Sequence, residues 1–455
     1  MVTAAPGFGT RLAYGVGQAA EGIKVAALGG LLFFYYHQVL GLSPGATGFA
    51  LFCGLLADTA GGVLAGSISD RLRHRRGMRH PLMLAAVLPT GLALVALFWP
   101  PAPPRGAALL SWLVLWLITC RVAMTFFTVP HFALGADMAD SSFAKTANVA
   151  FRQFFHVLGG ILVFSIAREL MVPTPDFPVA QVNPEHYPAL AIYCTAVALA
   201  AMLIASFGTW RLASPTLKAS DEGHAGAFAR VREDFARTLR TPPFRRLMLC
   251  VGTFAIAAGI ARATEVYLAT YFWQLATPRA LLVPVASLLG SLAGVVLWTQ
   301  VSRLIDKRRC YVAAMSAYAM LATALPSMHA LGWLPPSTSV TFAAIVYAGA
   351  AIGGALAAAA PLFIGAMIAD VIDADEASAG RRRAASFFGT AAIVAKPAAA
   401  VSALLSGAVL AAVDPGAGSH GALRPLLSLG LLTGCAVSLF SGAAAVLMCR
   451  YDPAK

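Results

Sequence analysis

Twelve apolar stretches divide the chain, each about as long as the roughly 20 residues a helix needs to cross a hydrocarbon core. They run at 14–39, 47–69, 81–100, 107–136, 146–167 and 187–210, and then at 247–275, 280–302, 310–333, 339–369, 386–412 and 425–449. The longest polar stretch, 213–246, separates the two sixes. Within it Phe228, Val231, Phe235 and Leu239 recur at helical spacing among Arg230, Arg232, Arg237 and Arg240, predicting an amphipathic surface helix. The expected organisation is therefore an all-α membrane protein with a six-helix bundle over 1–212, a cytoplasmic linker over 213–246 and a second six-helix bundle over 247–455.

Composition agrees. Of the 455 residues 59% are hydrophobic and 12% charged, whereas a soluble globular chain is about a quarter charged. The formal charge of +13 is explained by where it falls. With the N-terminus in the cytoplasm, the inner loops and tails hold 24 of the 33 Lys and Arg, which satisfies the positive-inside rule and puts both termini inside. That placement leaves no role for nucleic acid. No basic segment followed by a short apolar core and a cleavage site opens the sequence, so the first span is expected to be retained. The seven cysteines lie in or at the ends of apolar runs without CxxC spacing. They read as small buried hydrophobes, with no disulfide or metal framework.

The two sixes resemble each other under a shift of about 236 residues. Ala20-Glu21-Gly22-Ile23-Lys24 meets Ala257-Ala258-Gly259-Ile260-Ala261 one residue off that shift, and Tyr36-His37-Gln38 meets Phe272-Trp273-Gln274 on it. Asp70-Arg71 faces Asp306-Lys307 after the second span of each half. Ala136-Asp137-Met138-Ala139-Asp140 faces Ala369-Asp370-Val371-Ile372-Asp373 after the fourth. Four matches in one order at corresponding places argue for two parallel repeats. The loop Gly66-Ser67-Ile68-Ser69-Asp70-Arg71, followed by Arg75-Arg76-Gly77-Met78-Arg79, resembles the cytoplasmic motif of the major facilitator superfamily. An Asp held at a helix end by basic neighbours can form an ion pair in one conformation and lose it in another. Asp70, Arg71, Asp137, Asp306, Asp370 and Asp373 are thus candidates for a conformational latch.

Eight ionisable side chains fall inside spans: Glu21, Lys24, Asp58, Arg121, Arg152, Arg262, Glu265 and Lys396. Each costs at least about 2.5–3.5 kcal/mol at mid-bilayer, which makes it a functional candidate. Asp58 and Lys396 both lie about 15–17 Å deep, where they can neutralise each other or release one another to a cation. Glu21 with Lys24, and Arg262 with Glu265, are i,i+3 neighbours that either line a polar cavity or pin helix packing. Arg121 and Arg152 have no acidic neighbour within one turn and need a partner from another helix or a solute. Phe34, Tyr35, Tyr36, Phe272 and Trp273 sit at outer span ends and read as an interfacial belt, with stacking on a sugar ring as the alternative. His37, His131, His156 and His329 are widely separated and read as helix-contact residues. No metal-ligand spacing or nucleophile motif suggests an enzyme, and a non-transporting sensor would need a signalling domain.

Taken together, Tyr14-Gly15-Val16-Gly17, Tyr35 to Ser43, Asp58, Ser69-Asp70-Arg71, Gly77 to Pro81, Val129-Pro130-His131-Phe132-Ala133-Leu134-Gly135-Ala136, Ile368 to Asp373 and Lys396 are similar to the glycoside-pentoside-hexuronide cation symporters, the melibiose carrier group of the major facilitator superfamily. The resemblance implies twelve helices in two pseudo-symmetric bundles and alternating-access symport of a small solute with H+ or Na+, with no cofactor, in a monomer of the inner membrane. It implies a cation-coupling group of Asp58, Thr125 and Lys396. Gly61 and Gly62 stand where the family carries an Asn and an Asp, which removes two oxygen ligands from a sodium cage and favours a proton. The family's sugar-binding acids align with Gly22 and Thr128, and its span-5 arginine with Arg152. With the charged pairs inside spans 1 and 7 added, Glu21, Lys24, Thr128, Arg152, Arg262 and Glu265 are the candidate solute contacts, for a sugar or glycoside or, alternatively, an amphiphile such as a lysolipid.

Overall fold

The computed structural model describes residues 7–76, 79–101, 105–138, 142–210, 235–379, 384–413 and 423–451. The first part of the expected linker, and the side chains of Asp70, Arg71 and Asp137, lie outside the described residues. Among those described are 12 helices long and apolar enough to cross a membrane. Spans 1 to 6 are Phe8–Val39, Pro44–Gly66, His80–Phe98, Ala107–Gly135, Asn148–Leu170 and His186–Gly208. Spans 7 to 12 are Pro242–Phe272, Thr277–Val301, Lys307–Ala330, Val340–Glu376, Ser386–Val413 and Leu427–Cys449. Each expected span is present, with ends shifted by a few residues. Helix is the form such segments take because hydrocarbon offers no water to an unpaired backbone N–H or C=O.

The helices group into two compact units, one of residues 1–42 and 53–225 and the other of 43–52 and 226–455. In the first unit, span 1 packs against spans 5 and 6, and span 3 against spans 4 and 6. In the second, span 7 packs against spans 11 and 12, and span 9 against spans 10 and 12. Position for position these are the same neighbours, so the sequence repeat is a repeat of packing. The short match between Gly22 and Gly259 has a physical cause. A Cβ on Gly22 would lie 1.9 Å from the His156 carbonyl oxygen of span 5, and one on Gly259 would lie 1.9 Å from Ser402 Oγ of span 11. Each glycine therefore sits where the first helix of its bundle crosses the fifth, Gly22 against the backbone of that helix and Gly259 against the Ser402 side chain.

Spans 1 and 7 share a second irregularity. Span 1 widens into π-helical turns at Ala27–Leu31 and Tyr35–Val39, and span 7 at Leu268–Phe272. The aromatics there are not an interfacial belt: Phe34, Tyr35, Tyr36, Phe272 and Trp273 are all buried within their own units. Tyr35 stacks on Tyr187 at 4.1 Å, and Phe272 and Trp273 close around His329 and Phe342. Belt residues would face lipid headgroups, whereas these rings are buried. The cysteines also divide. Cys120, Cys194, Cys250 and Cys310 are buried as expected, but Cys435 and Cys449 are exposed.

Candidate functional site

The polar centre of the first unit is built from spans 1, 2 and 4. Asp58 is buried on span 2 and accepts a hydrogen bond from the Thr125 hydroxyl of span 4. The same hydroxyl lies 2.9 Å from the Arg121 carbonyl oxygen one turn earlier. A threonine hydroxyl carries a single hydrogen and two lone pairs, so it can donate to only one of these acceptors at a time. On span 1 the Lys24 ammonium lies 2.7 Å from the Glu21 carboxylate. The fully buried Cys120 is within electrostatic range of Lys24, Arg121, Glu21 and Asp58 together. Two acids and two bases thus lie within electrostatic range of one buried thiol.

The sequence pointed to Asp58 and Thr125, and the structure brings them into contact. Arg121 had been left without a role. It belongs to this cluster, and its signal was its place four residues before Thr125, on the same helix face. Lys396 is half-buried on span 11 in the second unit. Gly22, aligned with an acidic residue of the family, could not carry one here, because the His156 backbone occupies the space. Gly61 faces Val122 of span 4 at ordinary contact distance, so that side of Asp58 is apolar.

Two turns further along span 4 stands Phe132, and Arg152 of span 5 lies 4.1 Å above its ring and within hydrogen-bonding reach of the Tyr14 hydroxyl. Tyr14 stacks on His131 at 4.4 Å, and His131 Nε2 donates to the Tyr14 carbonyl at 2.8 Å. His131 is therefore a helix-contact residue, as is His37, which bonds the Leu42 carbonyl at 3.0 Å. Thr128 is half-buried between this aromatic cage and Thr125. In the second unit Arg262 is exposed although it lies well inside span 7. Its charge interacts with that of Glu265, which accepts a hydrogen bond from Ser287 of span 8, and Tyr318 of span 9 lies beside both. An exposed guanidinium at that depth needs water or a polar solute against it. Ser287 and Tyr318 are additions that helix periodicity could not supply.

The latch candidates separate in role. Lys307 grips both carboxylate oxygens of Asp370 at 2.9 and 2.8 Å. Asp306 instead caps span 9 by accepting from the Arg308 amide at 3.0 Å, which satisfies one of the free donors of a helix start. Asp373 is exposed. Arg308 also donates to the Met448 and Cys449 carbonyls, and Arg246 to Arg450 at 2.7 Å, so two arginines close the end of span 12. Beside them burial pushes the Tyr451 hydroxyl up to about 12, with the Asp370 charge adding to the effect. In the first unit Arg79 donates to Ser69 at 2.8 Å, and His80 bonds Thr209 at 3.0 Å. The start of span 3 is thus tied to the end of span 6, as span 9 is to span 12.

Twelve spans in two units with matching neighbours, and charged clusters inside the membrane, define a polytopic membrane protein built from two six-helix repeats. The chain belongs to the MFS/sugar transport protein family, which matches it over residues 13–453. The motif-based resemblance is therefore borne out. It is 26% identical over 217 residues to the symporter sll1374 of Synechocystis, a match covering 46% of this chain and 40% of that protein. It is 27% identical over 161 residues to YagG of Escherichia coli, named for glycoside/cation symport, covering 35% of each. These matches span less than half of either relative. In fold it is similar to a D-xylose-proton symporter, with a TM-score of 0.66, 13% identity and coverage of 98% and 97%. The fold is that of the major facilitator superfamily.

Proposed function

We propose that this protein is a proton-coupled symporter of a sugar or glycoside, working by alternating access in the cytoplasmic membrane with both termini inside. The family and the names of its relatives support the transport class, and the charge asymmetry of the loops supports the orientation. The observation that carries the coupling is the shared hydroxyl of Thr125. When Asp58 is ionised, Thr125 donates to it. When Asp58 takes up a proton, its own O–H donates to Thr125, and the threonine hydrogen turns to the Arg121 carbonyl. Protonation thereby rewires a link between spans 2 and 4 and removes one negative charge from the cluster of Glu21, Lys24, Cys120 and Arg121. Solute contacts fall to Glu21, Lys24, Thr128 and Arg152 on the first unit, and to Arg262 and Glu265 on the second, with Lys396 a further cation on span 11. The Lys307–Asp370 pair serves as a latch that holds spans 9 and 10 together in one state.

The test is uptake of labelled pentoses, hexoses, glycosides and hexuronides into proteoliposomes under an imposed pH gradient or an imposed sodium gradient. Accumulation driven by the pH gradient, lost in Asp58→Asn while counterflow exchange persists, is the expected result. Accumulation that follows sodium alone, or normal accumulation by Asp58→Asn, overturns the proton reading. Failure of every sugar overturns the substrate class.

A further inference from the structure

We infer that a groove between spans 3, 4 and 6 is a binding site for one phospholipid, whose acyl chain fills it and whose phosphate meets Arg105. The site lies within the first unit and goes beyond the symport reading. The groove has a volume of about 660 Å³, within the roughly 300–1,000 Å³ of sites that hold drug-sized molecules. Leu88, Leu92 and Trp99 of span 3 and its end, Trp112 and Trp116 of span 4 and Leu199 of span 6 line it. Leu88, Leu92 and Trp99 are also 67%, 55% and 52% exposed, and span 3 carries no Asp, Glu, Lys or Arg. An open apolar face on a span without charge is wetted by lipid chains, since water gains nothing there.

Length, shape and charge identify the occupant. Leu88 lies about 15 Å along span 3 from its end at Phe98, and Trp116 about 14 Å from the start of span 4 at Ala107. That depth is one leaflet, half of a hydrocarbon core about 30 Å thick. The groove therefore suits a chain that enters at headgroup level and ends at the bilayer centre. Its walls are held without the chain. The Trp112 indole N–H donates to the Ala96 carbonyl at 2.9 Å, joining spans 3 and 4, and the Trp112 and Trp116 rings lie 5.6 Å apart. Gly91 lets spans 3 and 6 approach, since a Cβ there would fall 2.8 Å from Leu199 Cδ1. Trp99 and Pro101 line the groove at the span end, and an indole favours headgroup level because its apolar ring carries one polar N–H. Arg105 follows on the same connection, exposed, just before span 4. Among the described residues it has no ion pair. A guanidinium at headgroup level is a ligand for lipid phosphate.

The test uses the purified full-length protein, washed free of lipid in dodecyl maltoside, with dioleoyl phosphatidylglycerol added in steps. The lipid should raise the unfolding temperature by about 3–5 °C and then saturate. Ala96→Phe places a ring in the groove and should lose that shift. Arg105→Gln should keep the shift but need about fivefold more lipid to reach it. Phosphatidylglycerol brominated along its chains should quench a saturable part of the tryptophan fluorescence, and Trp112→Phe/Trp116→Phe should remove that part. A shift that is absent from the unaltered protein, never saturates or survives in Ala96→Phe would overturn the site. So would saturable quenching that is unchanged without Trp112 and Trp116, a reading that holds even if Ala96→Phe folds poorly. An equal lipid requirement in Arg105→Gln would overturn the phosphate contact. No solute, proton or sodium ion enters these readings, so they stand or fall apart from symport.

Discussion

Lys24 and Glu21 meet at 2.7 Å one turn apart on span 1, with side chains only 5% and 19% exposed. Neither charge can be removed alone without stranding the other. Lys24→Met should therefore cost about 3–5 kcal/mol, and Glu21→Gln/Lys24→Met much less. Thermal unfolding of the three proteins checks this. A loss in the double variant as large as that in Lys24→Met, or larger, would overturn the coupling of the two charges.

Helix crossing makes a sharper forecast at glycine. Gly22→Ala drives a methyl group into the His156 carbonyl, an atom of the backbone that cannot turn aside, and overpacking of this kind costs about 1–3 kcal/mol. Gly252, also in a span, would place its Cβ 3.9 Å from Ala398 and Val394, so Gly252→Ala should be neutral. Yield of folded protein and unfolding temperature compare the pair.

Thr125 is expected to matter through its hydroxyl rather than its shape. Thr125→Val preserves volume and removes the hydroxyl that donates to Asp58, so concentrative uptake should fall at least tenfold while exchange is largely kept. Thr125→Ser restores the donor and should restore accumulation. Loss in both variants would point to packing instead.

The Lys307–Asp370 pair is 41% and 52% exposed, and exposed pairs contribute about 0–1 kcal/mol to stability. Asp370→Asn should hardly move the unfolding temperature, yet should change the transport rate several-fold by shifting the balance between states. Lys307→Asp/Asp370→Lys should recover part of that rate. A rate unaffected by either change would reduce the pair to a solvated contact.

Much of this architecture could be read before any helix was placed in space. Hydropathy is a local property, and the bilayer supplies the only solvent in which these stretches make sense, so twelve spans and a two-fold repeat follow from residue type and order. Asp58 and the Asp306-Lys307 and Asp370 segments were also visible, because charge inside an apolar run and charge at its end are both conspicuous, whereas Thr125 came only through the family resemblance. What could not be read was partnership. Glu21 and Lys24 find each other within one turn, so periodicity sufficed. Thr125 and Asp58 stand on different helices, and of the neighbouring Asp306 and Lys307 it is Lys307 that reaches another helix, at Asp370, while Asp306 caps its own.

The aromatics of spans 1 and 7 show the same division from the other side. Their place at the span ends was legible, but whether a ring faces lipid or protein depends on which helix lies behind it. Tyr35 stacks on Tyr187, and Phe272 and Trp273 pack on His329, and no count of residues along the chain reports those neighbours. The sequence by itself determined how many helices cross the membrane and where charge enters them, since both depend on transfer from water to lipid, residue by residue. Tertiary structure decided which helices cross at Gly22 and Gly259, and which groups on different helices meet, since those depend on distances between helices that the linear order does not contain.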